Sequence, residues 1–312
     1  ARQFGAEYDW ESEVLVTVGV SEAIDVALRT IINPGDEVLY HEPCFVSYRP
    51  SIILAGGVPI CVETRREDEF RLTRAMLEKA VTPKTRVLML NFPCNPTGAV
   101  LAKQDVEDIA AFCVQHDLLL LTDEIYAELT YDSKHVSFVS IPAMKERTIF
   151  LHGMSKAWAM TGFRIGYACA PAEISENMMK LHQYAIMSAP TTGQKAAAEA
   201  LERGDSAVAD MVAEYNRRRN YLIASFAEMG VPCHTPAGAF YAFPYIGDLG
   251  ISAEDFALRF LEEKGVAVVP GDAFGQCGAG FLRCAYATSM DNIREAMKRM
   301  AEFVAAVRTE KR

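Results

Sequence analysis

The stretch FLHGMSKAWAMTGFRIGYACAP, from Phe150 to Pro171, sets Lys156 among small and apolar residues and puts Arg164 at the mouth of an apolar strand pattern, RIGYACA. Burying two cations near one another is costly unless an anion or a covalent partner meets them. A partly buried lysine can lose its proton and attack a carbonyl; a lysine that snorkels to the surface does no such chemistry. LLLLTDEIYAEL ends an apolar run in Asp123 and Glu124, with Tyr126 following. A carboxylate there needs either a positive partner or a role as a helix cap. NFPCNPTGAVL is a rigid, Pro-punctuated loop suited to holding the Asn95 side chain at a strand end. VTVGVSEAI puts Gly19 between a strand and a helix whose N-terminus falls near Ser21. Its N–H groups and the Ser21 hydroxyl form an anion site, or Ser21 is an ordinary N-cap. In FLRCAYATS, Arg283 stands between apolar neighbours, matched either to a bidentate carboxylate or to an edge-strand ion pair.

These groups need a frame. From Val14 to about Ala170 the short apolar runs VLVTV, EVLYH, VPICVE, RVLML, LLLLT, TIFLH and RIGYACA alternate with helix-length segments such as SEAIDVALRTII and KQDVEDIAAFCVQH. This order predicts an α/β fold, a mostly parallel sheet covered by helices on both faces, with ligands at the carboxyl ends of the strands. After Pro171 the pattern turns into a long helical region ending in DSAVADMVAEYNRRRNYLIASFAEMG. Then come GAFYAFPYI, ISAEDFALRFLEEKG, VAVVPG, FLRCAYA and a last helix from about Asp291. We therefore expect a large domain over 1–216 and a smaller C-terminal α/β domain over 217–312.

Half of the 312 residues are hydrophobic, enough for a sizeable core. A net charge of −10 argues against nucleic acid as a partner, so any anion site must be local. The eight cysteines are scattered without metal-ligand spacing, which predicts reduced core thiols, no metal and a cytoplasmic location. No apolar run reaches membrane-spanning length, and no signal peptide is visible. The sequence opens without Met and enters a strand pattern almost at once, so N-terminal sequence is expected to be missing from it.

An anionic phosphate, an aldehyde and a ring nitrogen that must stay protonated would together engage these groups. Pyridoxal 5′-phosphate has all three, and proteins hold it with a Schiff-base lysine and an acidic partner for the ring nitrogen. With NPTG, DEIY, SKAWAMTGFRIGY and RCAYATS in the family's order, the chain resembles the class I/II pyridoxal-phosphate aminotransferases of the aspartate aminotransferase fold. The resemblance covers nearly the whole chain and is strongest to the bacterial and archaeal branch of aspartate and aromatic aminotransferases.

By that resemblance Lys156 is the Schiff-base lysine and proton carrier, and Asp123 the partner of the pyridinium nitrogen. Tyr126 and Asn95 would hydrogen-bond the cofactor's phenolic oxygen, and Phe45, in EPCFVSY, would stack on its ring. Gly19, Val20, Ser21, Ser155 and Arg164 match the phosphate cup, and Arg283, with Asn95, the site of the substrate α-carboxylate. Many relatives carry a hydroxyl three residues before the lysine; here that position is Gly153, with Ser155 beside the lysine. The family's N-terminal arm, with a tyrosine reaching the neighbouring subunit's phosphate, has no counterpart in this sequence, which implies weak activity. The resemblance further implies a homodimer with active sites at the interface. It implies ping-pong transfer from an amino acid, aspartate or aromatic, to a 2-oxo acid such as 2-oxoglutarate. Competing readings are a carbon–sulfur β-lyase using the same lysine and aspartate, and the effector-binding domain of an aminotransferase-like transcription regulator.

Overall fold

A computed structural model describes residues 3–310. Seven strands form the main sheet: β1 (Val14–Thr17), β2 (Glu37–Glu42), β3 (Val58–Glu63), β4 (Thr85–Asn91), β5 (Leu119–Asp123), β6 (Thr148–Gly153) and β7 (Gly166–Cys169). Their spatial order is β1-β7-β6-β5-β4-β2-β3. The pairs from β3 through β6 are parallel, and β7 runs antiparallel to both β6 and β1. Each strand falls within or beside an apolar run read from the sequence. The mostly parallel α/β sheet is as expected.

Helices cover both faces, as continuous apolar strands require. On one side lie α1 (Gly19–Ile31), α2 (Tyr48–Leu54) and, later in the chain, α5 (Ala172–Ala185). Ala23, Ile24, Ala27 and Leu28 of α1 sit over Val87, Leu121 and Ile149 in one core. On the other side α3 (Arg74–Glu78) and α4 (Lys103–Gln115) bury Leu77, Val106, Ile109 and Phe112 against Leu88, Leu90 and Leu120.

Beyond β7 the long helical region is three helices, α5, α6 (Thr191–Arg203) and α7 (Asp205–Glu228). Residue 217, where the sequence reading divides the chain, lies inside α7. A second, antiparallel sheet of order β8-β10-β9 comprises β8 (Tyr241–Ala242), β9 (Val269–Pro270) and β10 (Leu282–Ala285). It packs with α7, α8 (Ala253–Lys264) and α9 (Met290–Glu310), whose Ile293, Met297, Met300, Phe303 and Val307 recur every three or four residues. GAFYAFPYI and VAVVPG contribute strands of only two residues, with neighbouring positions pairing through isolated bridges and loop hydrogen bonds. All eight cysteines are free. No described helix is long and apolar enough to cross a membrane.

Candidate active site

The carboxyl ends of β4, β5 and β6 and the start of α1 converge on one cleft of about 280 Å³, near the lower end of small-molecule sites at about 300 Å³. It is lined by Val20, Ser21, Phe45, Asn95, Asp123, Tyr126, Ser155, Lys156, Arg164 and Arg283, so every cofactor- or substrate-binding candidate from the sequence except Gly19 faces it, while Glu124 turns away to His135. Gly19 stands directly behind, with φ +71°, and a Cβ there would lie 2.5 Å from Arg164 Nη2. That left-handed turn starts α1 at Gly19, two residues before the expected start at Ser21. The Val20 and Ser21 positions thereby open onto the cleft.

Asp123, the last residue of β5, is 5% exposed. Tyr48 Oη donates to its Oδ2 at 2.7 Å and the Ile125 N–H to its Oδ1 at 3.1 Å. Burial lifts its pKa to about 6 in spite of these bonds and of the nearby His152 and Lys156 charges. Asp123 thus accepts from a turn rather than capping a helix, since only turn residues follow β5 at 125–128, and it faces cations instead. Because the phenol bond favours the ionised form, Tyr48→Phe is expected to push Asp123 above about 6. The carboxylate band followed by infrared difference titration against Asp123→Asn checks this, and an unchanged midpoint refutes it.

Lys156 follows β6 by three residues and is partly buried. Its Nζ stands 5.8 Å from the Tyr126 ring centre and 5.7 Å from that of Phe240, and it makes no direct hydrogen bond or ion pair among the described residues. Burial lowers its pKa; Asp123 pulls it up, while Arg283 and Arg164 push it further down. Tyr126 Oη lies 3.1 Å from Tyr241 Oη, and burial raises both phenols.

Arg283 Nη1 donates to Asn95 Oδ1 at 3.0 Å, and its guanidinium lies 4.6 Å from the Tyr241 ring centre and 4.7 Å from that of Phe274. Its Nε is buried with no partner. Of the two sequence readings, an edge-strand ion pair is absent: no carboxylate lies within reach of Arg283 among the described residues. Asn95 is fixed in turn by its N–H, which donates to Asn91 Oδ1 at 3.1 Å. The NPTG glycine explains itself sterically. Gly98 (φ +71°) accepts N–H bonds from Ala237 and Gly238 on its carbonyl, and a Cβ would lie 2.2 Å from Pro236 Cβ. This seam brings the Asn95 loop against the segment leading to Tyr241.

Arg164 is exposed, contrary to a buried strand start, because it stands two residues before β7 with φ +54° and Nη1 donating to Thr161 O at 3.0 Å. The absent hydroxyl at position 153 also has a physical cause. A Cβ there would lie 2.8 Å from Gly166 Cα and from Ile165 O, both backbone atoms at the β6–β7 crossing. Gly153→Ser is expected to cost about 1–3 kcal/mol by overpacking, measurable by urea denaturation; a stability equal to the parent's would refute that reading.

The described lining carries three cationic side chains, Lys156, Arg164 and Arg283, against one carboxylate, Asp123. In a chain of net charge −10 this local surplus of positive charge, with the unpartnered Arg283 Nε, suits an anionic ligand. The donor set also suits an aromatic cofactor bearing phosphate and carbonyl groups. Arg164 and the α1 turn are available for phosphate, Phe45 and the Tyr rings for a flat ring, Asp123 for a ring N–H, and Lys156 for a carbonyl. Sequence reasoning missed Tyr48, Asn91 and Tyr241. Tyr48 and Asn91 lie inside the quoted motifs EPCFVSY and NFPCNPTG, but only the folded chain aims them at Asp123 and Asn95.

The model of the family "Aminotransferase class I and II" matches residues 1–300. The chain is 48% identical to aromatic-amino-acid aminotransferase 2 of Thermococcus litoralis over 303 residues, 96% of this chain and 78% of that protein. It is 47% identical to an aspartate aminotransferase of Pyrococcus abyssi, covering 97% of this chain and 79% of the other. The crystal structure of an aromatic aminotransferase from Pyrococcus horikoshii superposes with a TM-score of 0.96 at 46% identity, over 98% of this chain and 82% of that one.

Proposed function

We propose, from the premise that this chain belongs to the class I and II aminotransferase family and is a transaminase, that it uses pyridoxal 5′-phosphate to move an amino group from an L-amino acid to a 2-oxo acid. The observation that carries the cofactor assignment is the convergence of the buried Asp123 and the unpartnered Lys156 amine on one cleft of surplus positive charge. When bound, the cofactor supplies a carbonyl for the amino group and a protonated ring that withdraws electrons from the substrate Cα.

The chain's own residues do the rest. Arg164, Ser21 and the N–H groups of the Gly19–Val20 turn bind phosphate, with Ser155 beside them. Phe45 covers one side of the ring. Asp123, ionised above about pH 6, holds the ring proton, and Tyr48 orients that carboxylate. Tyr126 and Asn95 donate to the ring oxygen. Arg283 binds the substrate carboxylate through its free N–H groups. Lys156, with its pKa lowered, would take the proton from the substrate Cα and deliver it to the carbon of the cofactor's carbonyl group. Donor and acceptor use this one site in turn, a ping-pong order, with 2-oxoglutarate as the acceptor. Phe45, Tyr126 and Tyr241 add aromatic surface to the lining. An aromatic donor is therefore favoured over aspartate.

The proposal includes a homodimer in the cytoplasm and the division into domains 1–216 and 217–312. Tyr184 and Met187 are 87% and 82% exposed, and Ile186 and Phe163 are exposed to a lesser degree, apolar surface that suits a second copy. Sedimentation of the protein with and without Met187→Asp checks the dimer; a monomeric parent would overturn it.

The test of function is to load the protein with cofactor, add single amino acids without an acceptor, and count products. One equivalent of 2-oxo acid per site, without ammonia, is expected, with the largest rate for an aromatic donor. Continuous pyruvate and ammonia would mean a lyase, and no product from any amino acid would overturn the catalytic reading.

A further inference from the structure

The turn that opens α1 is held from below by two groups outside the cleft lining, Glu22 and His182. Glu22 lies in the first turn of α1, and the Val18 N–H donates to its Oε2 at 2.5 Å. Its other oxygen, Oε1, is 2.6 Å from His182 Nδ1, on the last turn of α5. Facing a carboxylate, that nitrogen carries the proton. The pair is enclosed, with side-chain exposures of 10% for Glu22 and 4% for His182.

A carboxylate at this place opposes an anion electrostatically, since it sits in the same turn that presents N–H groups to the cleft. Its service must therefore be geometric. By taking the Val18 N–H, Glu22 fixes the peptide that leads into Gly19, whose left-handed φ of +71° aims the Val20 and Ser21 positions and leaves room for Arg164. His182 fixes Glu22 and draws its charge away from the turn. The backbone carbonyl of His182 accepts the N–H groups of Ile186 and Met187, so the same residue ends α5 where the exposed apolar segment begins.

We infer that Glu22 and His182 are positioning residues for phosphate recognition, a two-side-chain strut that presets the anion-binding turn of α1. This rests on the proposed cofactor and deepens it. The strut acts on the phosphate end alone, so it predicts a change in the preference for pyridoxal 5′-phosphate over pyridoxal, which lacks the phosphate.

The experiment measures the dissociation constants of both compounds for the full chain and for Glu22→Ala, Glu22→Gln, His182→Ala and His182→Asn. Glu22→Ala and His182→Ala are expected to lower the preference about tenfold, the scale of one charge-assisted hydrogen bond. Glu22→Gln keeps an acceptor for Val18, and His182→Asn keeps a donor near the Nδ1 position, so both are expected to restore most of it. If Glu22→Ala fails to fold, Glu22→Asp, which retracts the oxygens, takes its place under the same criterion. A merely structural role would weaken both compounds alike, and an unchanged preference in the alanine variants overturns the inference. If the parent binds neither compound, the cofactor assignment itself fails, a separate outcome.

Discussion

Lys156→Gln is expected to abolish transamination, lowering kcat on the order of 10⁴-fold or more, because proton transfer and carbonyl attack both depend on one amine. The same substitution is expected to leave the ligand-free fold as stable as the parent, within about 0.5 kcal/mol. The Lys156 side chain makes no direct hydrogen bond or ion pair among the described residues, so its removal leaves no buried partner unsatisfied. It also relieves a cleft in which Arg164 and Arg283 already push the amine towards neutrality. Phosphate binding by Arg164 and the α1 turn should survive. Single-turnover release of 2-oxo acid, set beside thermal melting, checks both halves. Residual turnover within about tenfold of the parent would remove Lys156 from the chemistry.

The fold and much of the site were legible in the sequence for a definite reason. The central strands β2, β4, β5 and β6 are buried on both faces, so each appears as an apolar run, and the ligand-facing residues of a parallel sheet stand where those runs stop. Asp123 ends β5 and Asn91 ends β4, so polar residues that punctuate the runs mark the site. What stayed hidden depends on pairing across the chain. Tyr48 meets Asp123 across 75 positions and His182 meets Glu22 across 160, and no local pattern connects them. Tyr241 lies on a strand of two residues, too short to show a period of two. Arg164 read as the start of a strand because its neighbours are apolar, yet its left-handed backbone turns it out of the sheet. The glycine at 153 could be seen but not explained, since its reason is the backbone of Gly166 across β7.

Asp123→Asn is expected to move two observables in opposite directions. Transamination should fall by about 10²–10⁴-fold, since an amide cannot carry the negative charge that keeps a ring nitrogen protonated. Lys156, in contrast, should become more reactive in the ligand-free protein. The Asp123 charge raises the pKa of Lys156, so removing it lets burial and the two arginines lower that pKa further, and more of the amine is neutral at pH 7. Below about pH 6 the parent's own Asp123 is protonated. Rates of Lys156 carbamylation in parent and variant should therefore converge in acid and separate as pH rises through about 6. Stability obeys the same linkage. The Asp123 pKa is raised on folding, so its contribution is fully present below the unfolded value, near 3.9, and is lost as pH rises towards about 6. Asparagine has no such loss and can still accept from Tyr48 or from the Ile125 N–H. Above about pH 6 the ligand-free variant should thus be more stable than the parent, by up to about 3 kcal/mol. Urea denaturation at pH 4 and pH 7.5 decides it: equal stability differences at both values would mean that Asp123 is not held at a raised pKa, and that the charge balance of the cleft is set elsewhere.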